Sequence, residues 1–230
     1  MLAAIFKASY NSSYDINVIG GVCGTAFFID GKNVLTANHN FTPEDFKPNI
    51  GFLYCKFWLL LENGQVLIIE KKYLRSYPNI DTTQISFSSV VFKDKLDYQT
   101  TIAEKGCKFI LKGFLASIPG NPNPRVKLNW DKQGELVISS FDLDSMVSTQ
   151  VGIVEEVKHI SLNSKDIVVR NKRYIALSCG GNIGLSGAPL VKYDDGKVMG
   201  LMSFGLPENV NKKTKLFAIS IDEVEKEIKI

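Results

Sequence analysis

Leu59-Leu60-Leu61-Glu62-Asn63-Gly64-Gln65-Val66-Leu67-Ile68-Ile69 sets two apolar runs on either side of an Asn-Gly pair. Both central residues of a type I′ turn need positive φ, which Asn and Gly tolerate, so the segment predicts an antiparallel β-hairpin. The arrangement recurs in Phe27-Phe28-Ile29, Asp30-Gly31, Val34-Leu35, and again in Pro189-Leu190-Val191, Asp195-Gly196, Val198 to Met202. Elsewhere, short stretches rich in β-branched and aromatic residues alternate with turn signals, and helical periodicity is not sustained, so the chain reads as all-β.

Two segments depart from that pattern. Ser117-Ile118-Pro119-Gly120-Asn121-Pro122-Asn123-Pro124 is a loop or linker, which divides the chain into units of residues 1–115 and 116–230. Ser220-Ile221-Asp222-Glu223 has the spacing of a capping box, and Ile221, Val224 and Ile228 fall on one helical face, so a short C-terminal amphipathic helix is expected.

Composition narrows the function classes. With 45% hydrophobic and 22% charged residues, the 230-residue chain is neither disordered nor collagenous, and it is long enough to bury a core without disulfides or metals. A net charge of +3 is too small to mark a nucleic-acid or anionic-membrane surface, and Lys212, Lys213 and Lys215 read as a solvated loop. The longest apolar run, Phe57 to Leu61, falls far short of the roughly 18 residues of a membrane span. The N-terminus lacks a basic region followed by a long apolar one, so a cytoplasmic location is expected. Cys23, Cys55, Cys107 and Cys179 are scattered, without a CxxC pair or a nearby histidine, so they read as buried free thiols. No metal or cofactor is expected.

The residues able to do chemistry are few. His39 ends the apolar stretch Val34-Leu35-Thr36-Ala37-Asn38, where a rigid strand delivers the imidazole; His159 lies among charged neighbours in an alternating strand and reads as solvated. Cys179-Gly180-Gly181-Asn182-Ile183-Gly184-Leu185-Ser186-Gly187-Ala188-Pro189 is a glycine-dense loop entering a strand. It lacks the Gly-Lys-Ser/Thr ending and following helix of a phosphate cradle. A serine on such a turn becomes a nucleophile if a base takes its proton and converging N–H groups hold the oxyanion.

Gly24-Thr25-Ala26-Phe27-Phe28-Ile29 with Leu35-Thr36-Ala37-Asn38-His39, then Gly184-Leu185-Ser186-Gly187-Ala188-Pro189-Leu190, then Ser203-Phe204-Gly205, resemble the histidine, nucleophile and Ser-Trp-Gly motifs of the trypsin-like (chymotrypsin-fold) serine proteases. The resemblance covers most of the chain in order and spacing. It implies two antiparallel six-stranded β-barrels with a short C-terminal helix, Ser186 as nucleophile, His39 as general base, and the N–H groups of Gly184 and Ser186 as oxyanion hole. Ser203, Phe204 and Gly205 would pair with the substrate backbone, and Gly180 would stand at the base of the P1 pocket.

The acid is the open member. Asp97, in Lys95-Leu96-Asp97-Tyr98-Gln99-Thr100, stands about where the family's acid opens a strand, and the alternatives are Asp81, Asp94 or no acid at all. Gly106 to Phe114 looks like the family's last first-barrel strand.

Three departures from the family's pattern matter. Leu185 replaces the Asp that receives a freed amine after zymogen cleavage. Asn40 follows His39 where secreted members carry the disulfide partner of the position held by Cys23. The absence of a carboxylate at Gly180 argues against Arg or Lys at P1 and points to a small or hydrophobic residue. The expectation is a serine endopeptidase acting on protein or peptide substrates, with a regulatory partner or fused domains as further possibilities. The alternatives are a non-cleaving module of the same fold that holds a peptide, and an esterase.

Overall fold

The computed structural model describes residues 1–41, 46–48, 50–89, 98–116, 125–164, 167–180, 182–207 and 214–229. Seven strands form the first sheet: β1 (Leu2–Tyr10), β2 (Ile19–Phe28), β3 (Asn33–Ala37), β4 (Tyr54–Leu61), β5 (Val66–Ile69), β6 (Leu74–Tyr77) and β7 (Thr82–Ser86). They lie antiparallel in the order β5-β4-β1-β2-β3-β7-β6. After β8 (Lys108–Phe114), the strands β9 (Val126–Trp130) and β10 (Leu136–Phe141) make a separate hairpin. The chain continues through β11 (Val147–Asn163), β12 (Val168–Leu177), β13 (Pro189–Lys192), β14 (Val198–Pro207) and β15 (Thr214–Ser220) to the helix α1 (Ile221–Ile228). A closed barrel runs β11-β12-β15-β14-β13-β8.

The second barrel has the six strands expected, whereas the first sheet has seven. The division of the chain also differs from the expected 115/116 boundary. β8 pairs with β11 and β13, setting Leu111 opposite Gln150 and Leu190, so it belongs to the second barrel. The change of sheet falls between Ser86 and Lys108. An alternating strand sequence reports burial of a face but not which distant strand will pair with it. The expected linker, residues 117–124, lies outside the described residues, as do Lys212 and Lys213; Lys215 is on β15 and pairs with Glu155 at 2.7 Å.

Strands with near-continuous apolar runs are buried on both faces. Along β1, Ala3 and Ile5 enter one core with Phe28, Val34, Leu59 and Ile85, inside the first sheet's curl. The alternate residues Leu2, Ala4, Phe6 and Ala8 enter a second core shared with Phe114, Tyr174, Phe204, Phe217 and the helix residues Ile221, Val224 and Ile228. The second barrel has its own interior of Phe109, Leu111, Ile175, Leu190, Met199 and Ala218. Period-two side-chain alternation thus sends one face into a barrel and the other into the layer joining the barrels.

The three predicted hairpins form, with Phe28 opposite Val34, Leu60 opposite Val66 and Leu190 opposite Gly200. Gly64 and Gly196 carry positive φ, 85° and 72°, but Asn63 does not, so the Asn-Gly turn is not the type I′ turn expected. The C-terminal helix buries its expected face, but the capping box does not close: Ser220 Oγ donates to Asp222 Oδ1 instead of capping a backbone N–H. His159 is exposed. The four cysteines are outside disulfides and half-buried rather than fully buried. No helix among the described residues is long and apolar enough to cross a membrane.

Candidate active site

Strand pairing builds the first half of the site. β3 pairs with β7 so that Ala37 faces Thr82, which brings the residues beyond them, Asn38 and Asp81, together: Asn38 N–H donates to the Asp81 carbonyl at 2.9 Å. A single 3-10 turn, Asn38–Phe41, then carries His39. On the other side, β6 and β7 are joined by the turn Pro78–Ile80, which ends with Asp81 in the left-handed region at φ 46°. Asp tolerates this conformation better than most residues, and it turns the carboxylate toward the histidine.

Asp81 is 1% exposed, and its carboxylate accepts from His39 Nδ1 at 2.9 and 3.1 Å, from the His39 backbone N–H at 3.1 Å, and from Ser203 Oγ. A carboxylate only accepts, so the proton of the neutral imidazole sits on Nδ1 and Nε2 carries the lone pair. Asp81, held open as an alternative in the sequence, therefore occupies the position beside the histidine. Asp97 and Asp94 lie outside the described residues. Both carboxylate oxygens of Asp81 already fill the Nδ1 side of the ring.

The second half of the site is the turn before β13. Gly184 and Gly187 have φ of 103° and 87°. A Cβ on Gly187 would sit 2.1 Å from the Thr25 carbonyl, and one on Gly184 would sit 2.2 Å from the Ala116 nitrogen, so both positions require glycine. Thr25, fully buried on β2, clamps the turn: its N–H donates to the Ser186 carbonyl at 2.9 Å, its Oγ1 donates to the Gly184 carbonyl at 2.8 Å, and it accepts from Phe114 N–H at 2.9 Å. Asn40 Nδ2 also donates to the Ser186 carbonyl, at 3.0 Å. Among the described residues the Ser186 hydroxyl and the N–H groups of Gly184 and Ser186 make no hydrogen bond.

His39 and Ser186 open into one cleft of about 430 Å³, lined also by Cys23, Ile183, Phe204, Gly205, Thr214 and Leu216. Of the expected substrate edge, Phe204 and Gly205 line this cleft; Ser203 does too, but it is fully buried and its hydroxyl is committed to Asp81. Gly180 is exposed, its Cβ direction opens to empty space, and it does not line the cleft. Thr214 and Leu216 line the cleft beside Gly205, because β15 pairs with β14 and sets Leu216 opposite Gly205. Beneath Ser203, Tyr174 packs its ring 5.2 Å from Phe204, and its buried hydroxyl forms no hydrogen bond of normal geometry. Burial, then the Asp81 charge, pushes this phenol above its ordinary range.

The sequence reading missed Thr25 and Asn40 as structural links, and Ser203 as a donor to the acid. Thr25 and Ser203 lie inside the recognised motifs, but motif position does not reveal a side-chain partner more than a hundred residues away.

The same double-barrel arrangement appears in solved structures. The protease Rv3671c of M. tuberculosis in its active form is 15% identical, with a TM-score of 0.59 over 98% of this chain and 79% of that chain. The fold is that of the trypsin-like serine proteases. The HtrA-type protease AlgW, solved with a decapeptide, is 13% identical with a TM-score of 0.60, and the alignment covers 99% of this chain but 63% of AlgW. The MamO protease domain of Magnetospirillum magneticum is 10% identical with a TM-score of 0.58, covering 97% and 95% of the two chains. No family model and no curated protein matches the sequence. At these identities the likeness carries the fold alone.

Proposed function

We propose that the protein is a serine endopeptidase in which Ser186, His39 and Asp81 form the triad. The observation that carries the reading is the doubly anchored His39–Asp81 pair, which puts the ring proton on Nδ1 of a histidine that lines the same cleft as Ser186. In the reaction, Ser186 Oγ attacks the scissile carbonyl carbon while its proton passes to His39 Nε2. Asp81 stabilises the imidazolium without taking the proton. The N–H groups of Gly184 and Ser186, uncommitted among the described residues, donate to the oxyanion. Collapse breaks the C–N bond, and His39 returns the proton to the leaving amine. Water, deprotonated by His39, then hydrolyses the acyl ester and restores Ser186.

Among the described residues the cleft lining contains no Asp, Glu, Lys or Arg, which supports an uncharged P1 side chain held between Thr214, Leu216 and Gly205. Leu185 is buried in the second barrel's core and has no carboxylate to receive an amine, so the site is formed without zymogen-type activation. The acid beside His39 also favours catalysis over a non-cleaving peptide-binding module. A fluorophosphonate probe and intact-mass spectrometry test the reading: wild type should gain one adduct, mapped to Ser186, and Ser186→Ala none. An unlabelled wild-type protein with native circular dichroism would overturn it.

A further inference from the structure

We infer that Asn40 is a positioning residue that couples the base to the nucleophile across the two barrels. The inference rests on the proposed Ser186–His39 chemistry. Asn40 follows His39 in the same 3-10 turn, is 6% exposed, and donates from one amide nitrogen both to Thr36 Oγ1 and to the Ser186 carbonyl, each at 3.0 Å.

The orientation of that amide is unique. A backbone carbonyl can only accept, and the Thr36 hydroxyl spends its proton on the Thr25 carbonyl at 2.7 Å, so both partners of Asn40 are acceptors. Only the NH2 end satisfies them. Space is reserved for it as well: a Cβ on Gly24 would come within 2.4 Å of Asn40 Nδ2, so Gly24 is the notch that admits the side chain.

The coupling has a purpose because the Ser186 hydroxyl makes no hydrogen bond among the described residues. No direct bond from nucleophile to base therefore sets their separation. Instead the main chain of Ser186 is held by two donors from the first barrel, Thr25 N–H and Asn40 Nδ2. One of these belongs to the turn that carries His39, so any movement of that turn is transmitted to Ser186. A misplacement of about 1 Å between reacting groups can lower a rate by on the order of a hundredfold.

The test follows fluorophosphonate labelling of the full chain over time. The amplitude reports the fraction of correctly folded protein, and the rate constant reports how well the labelled fraction is positioned. Asn40→Ala should keep most of the amplitude and lower the rate constant by about 10- to 100-fold. Asn40→Asp, of the same shape but without a donor, should be at least as slow. Gly24→Ala, which pushes the amide out of its notch, should slow labelling too, while adding it to Asn40→Ala should cost little more, because the two changes break one link.

Wild-type rate constants in Asn40→Ala, or losses in Gly24→Ala and Asn40→Ala that multiply fully in the double variant, would overturn the inference and leave the protease reading standing. A wild-type protein that is not labelled refutes the protease reading instead.

Discussion

Replacing Asp81 with Asn removes one oxygen from a carboxylate that accepts from His39 Nδ1, the His39 N–H and Ser203 Oγ. The new NH2 group must face at least one of these donors. If it faces Nδ1, the imidazole escapes the clash by moving its proton to Nε2, and it can then no longer accept from Ser186. In serine proteases this loss of the correct tautomer lowers kcat by about 10⁴, or about 5.5 kcal/mol of transition-state stabilisation. The same order is expected here because the acid is 1% exposed, so water cannot take its place. Each charge-assisted hydrogen bond lost contributes about 1.5–3 kcal/mol to the effect on the site. The assay is the labelling rate constant, or hydrolysis of an unstructured protein, measured alongside thermal unfolding to correct for folded fraction. Asp97→Asn should change the rate less than about threefold, since Nδ1 already has its acceptor. A loss under about tenfold in Asp81→Asn, or an equal loss in Asp97→Asn, would refute the assignment of the acid.

Three further outcomes follow from the structure. Gly187→Ala combines a left-handed φ of 87° with a Cβ 2.1 Å from the Thr25 carbonyl, so it should destabilise the fold by on the order of 3 kcal/mol; a urea midpoint near wild type would contradict this. Tyr174→Phe deletes a buried hydroxyl without a hydrogen bond of normal geometry, so stability should be unchanged or higher, and a thermal-unfolding loss above about 1 kcal/mol would show that the hydroxyl has a partner. Burial alone would raise the Glu62 pKa, but hydrogen bonds from Lys112 Nζ and Leu2 N–H outweigh it and hold the carboxyl below its usual range. A depressed folded pKa gives stability above the unfolded pKa that is lost as pH falls through the folded one. The Tm gap between wild type and Glu62→Gln should therefore shrink in acid, and a gap that widened would invert the argument.

The settings of His39 and Ser186, which share one cleft, are legible in the sequence because each lies in a local motif whose neighbours alone determine it: a strand end for His39, and two glycines forced to positive φ around Ser186. The hairpins were legible for the same reason. Asp81 is only an alternative there, because its place beside His39 comes from the left-handed end of a turn and from strand pairing that brings positions 42 residues apart into contact. The alternation of Lys108–Phe114 marks a strand but is compatible with either sheet, and only its long-range pairing with β11 and β13 places it in the second barrel. The cleft positions of Thr214 and Leu216 are hidden likewise: the β14–β15 pairing, not the spacing back from Ser186, brings them there.

His39 and Ser186 should act as one unit, and pre-steady-state hydrolysis of an activated ester measures this directly. The prediction is a rapid burst of one product equivalent per chain in wild type, absent from both Ser186→Ala and His39→Ala. A burst that survives either substitution, or none from a natively folded wild-type chain, contradicts it.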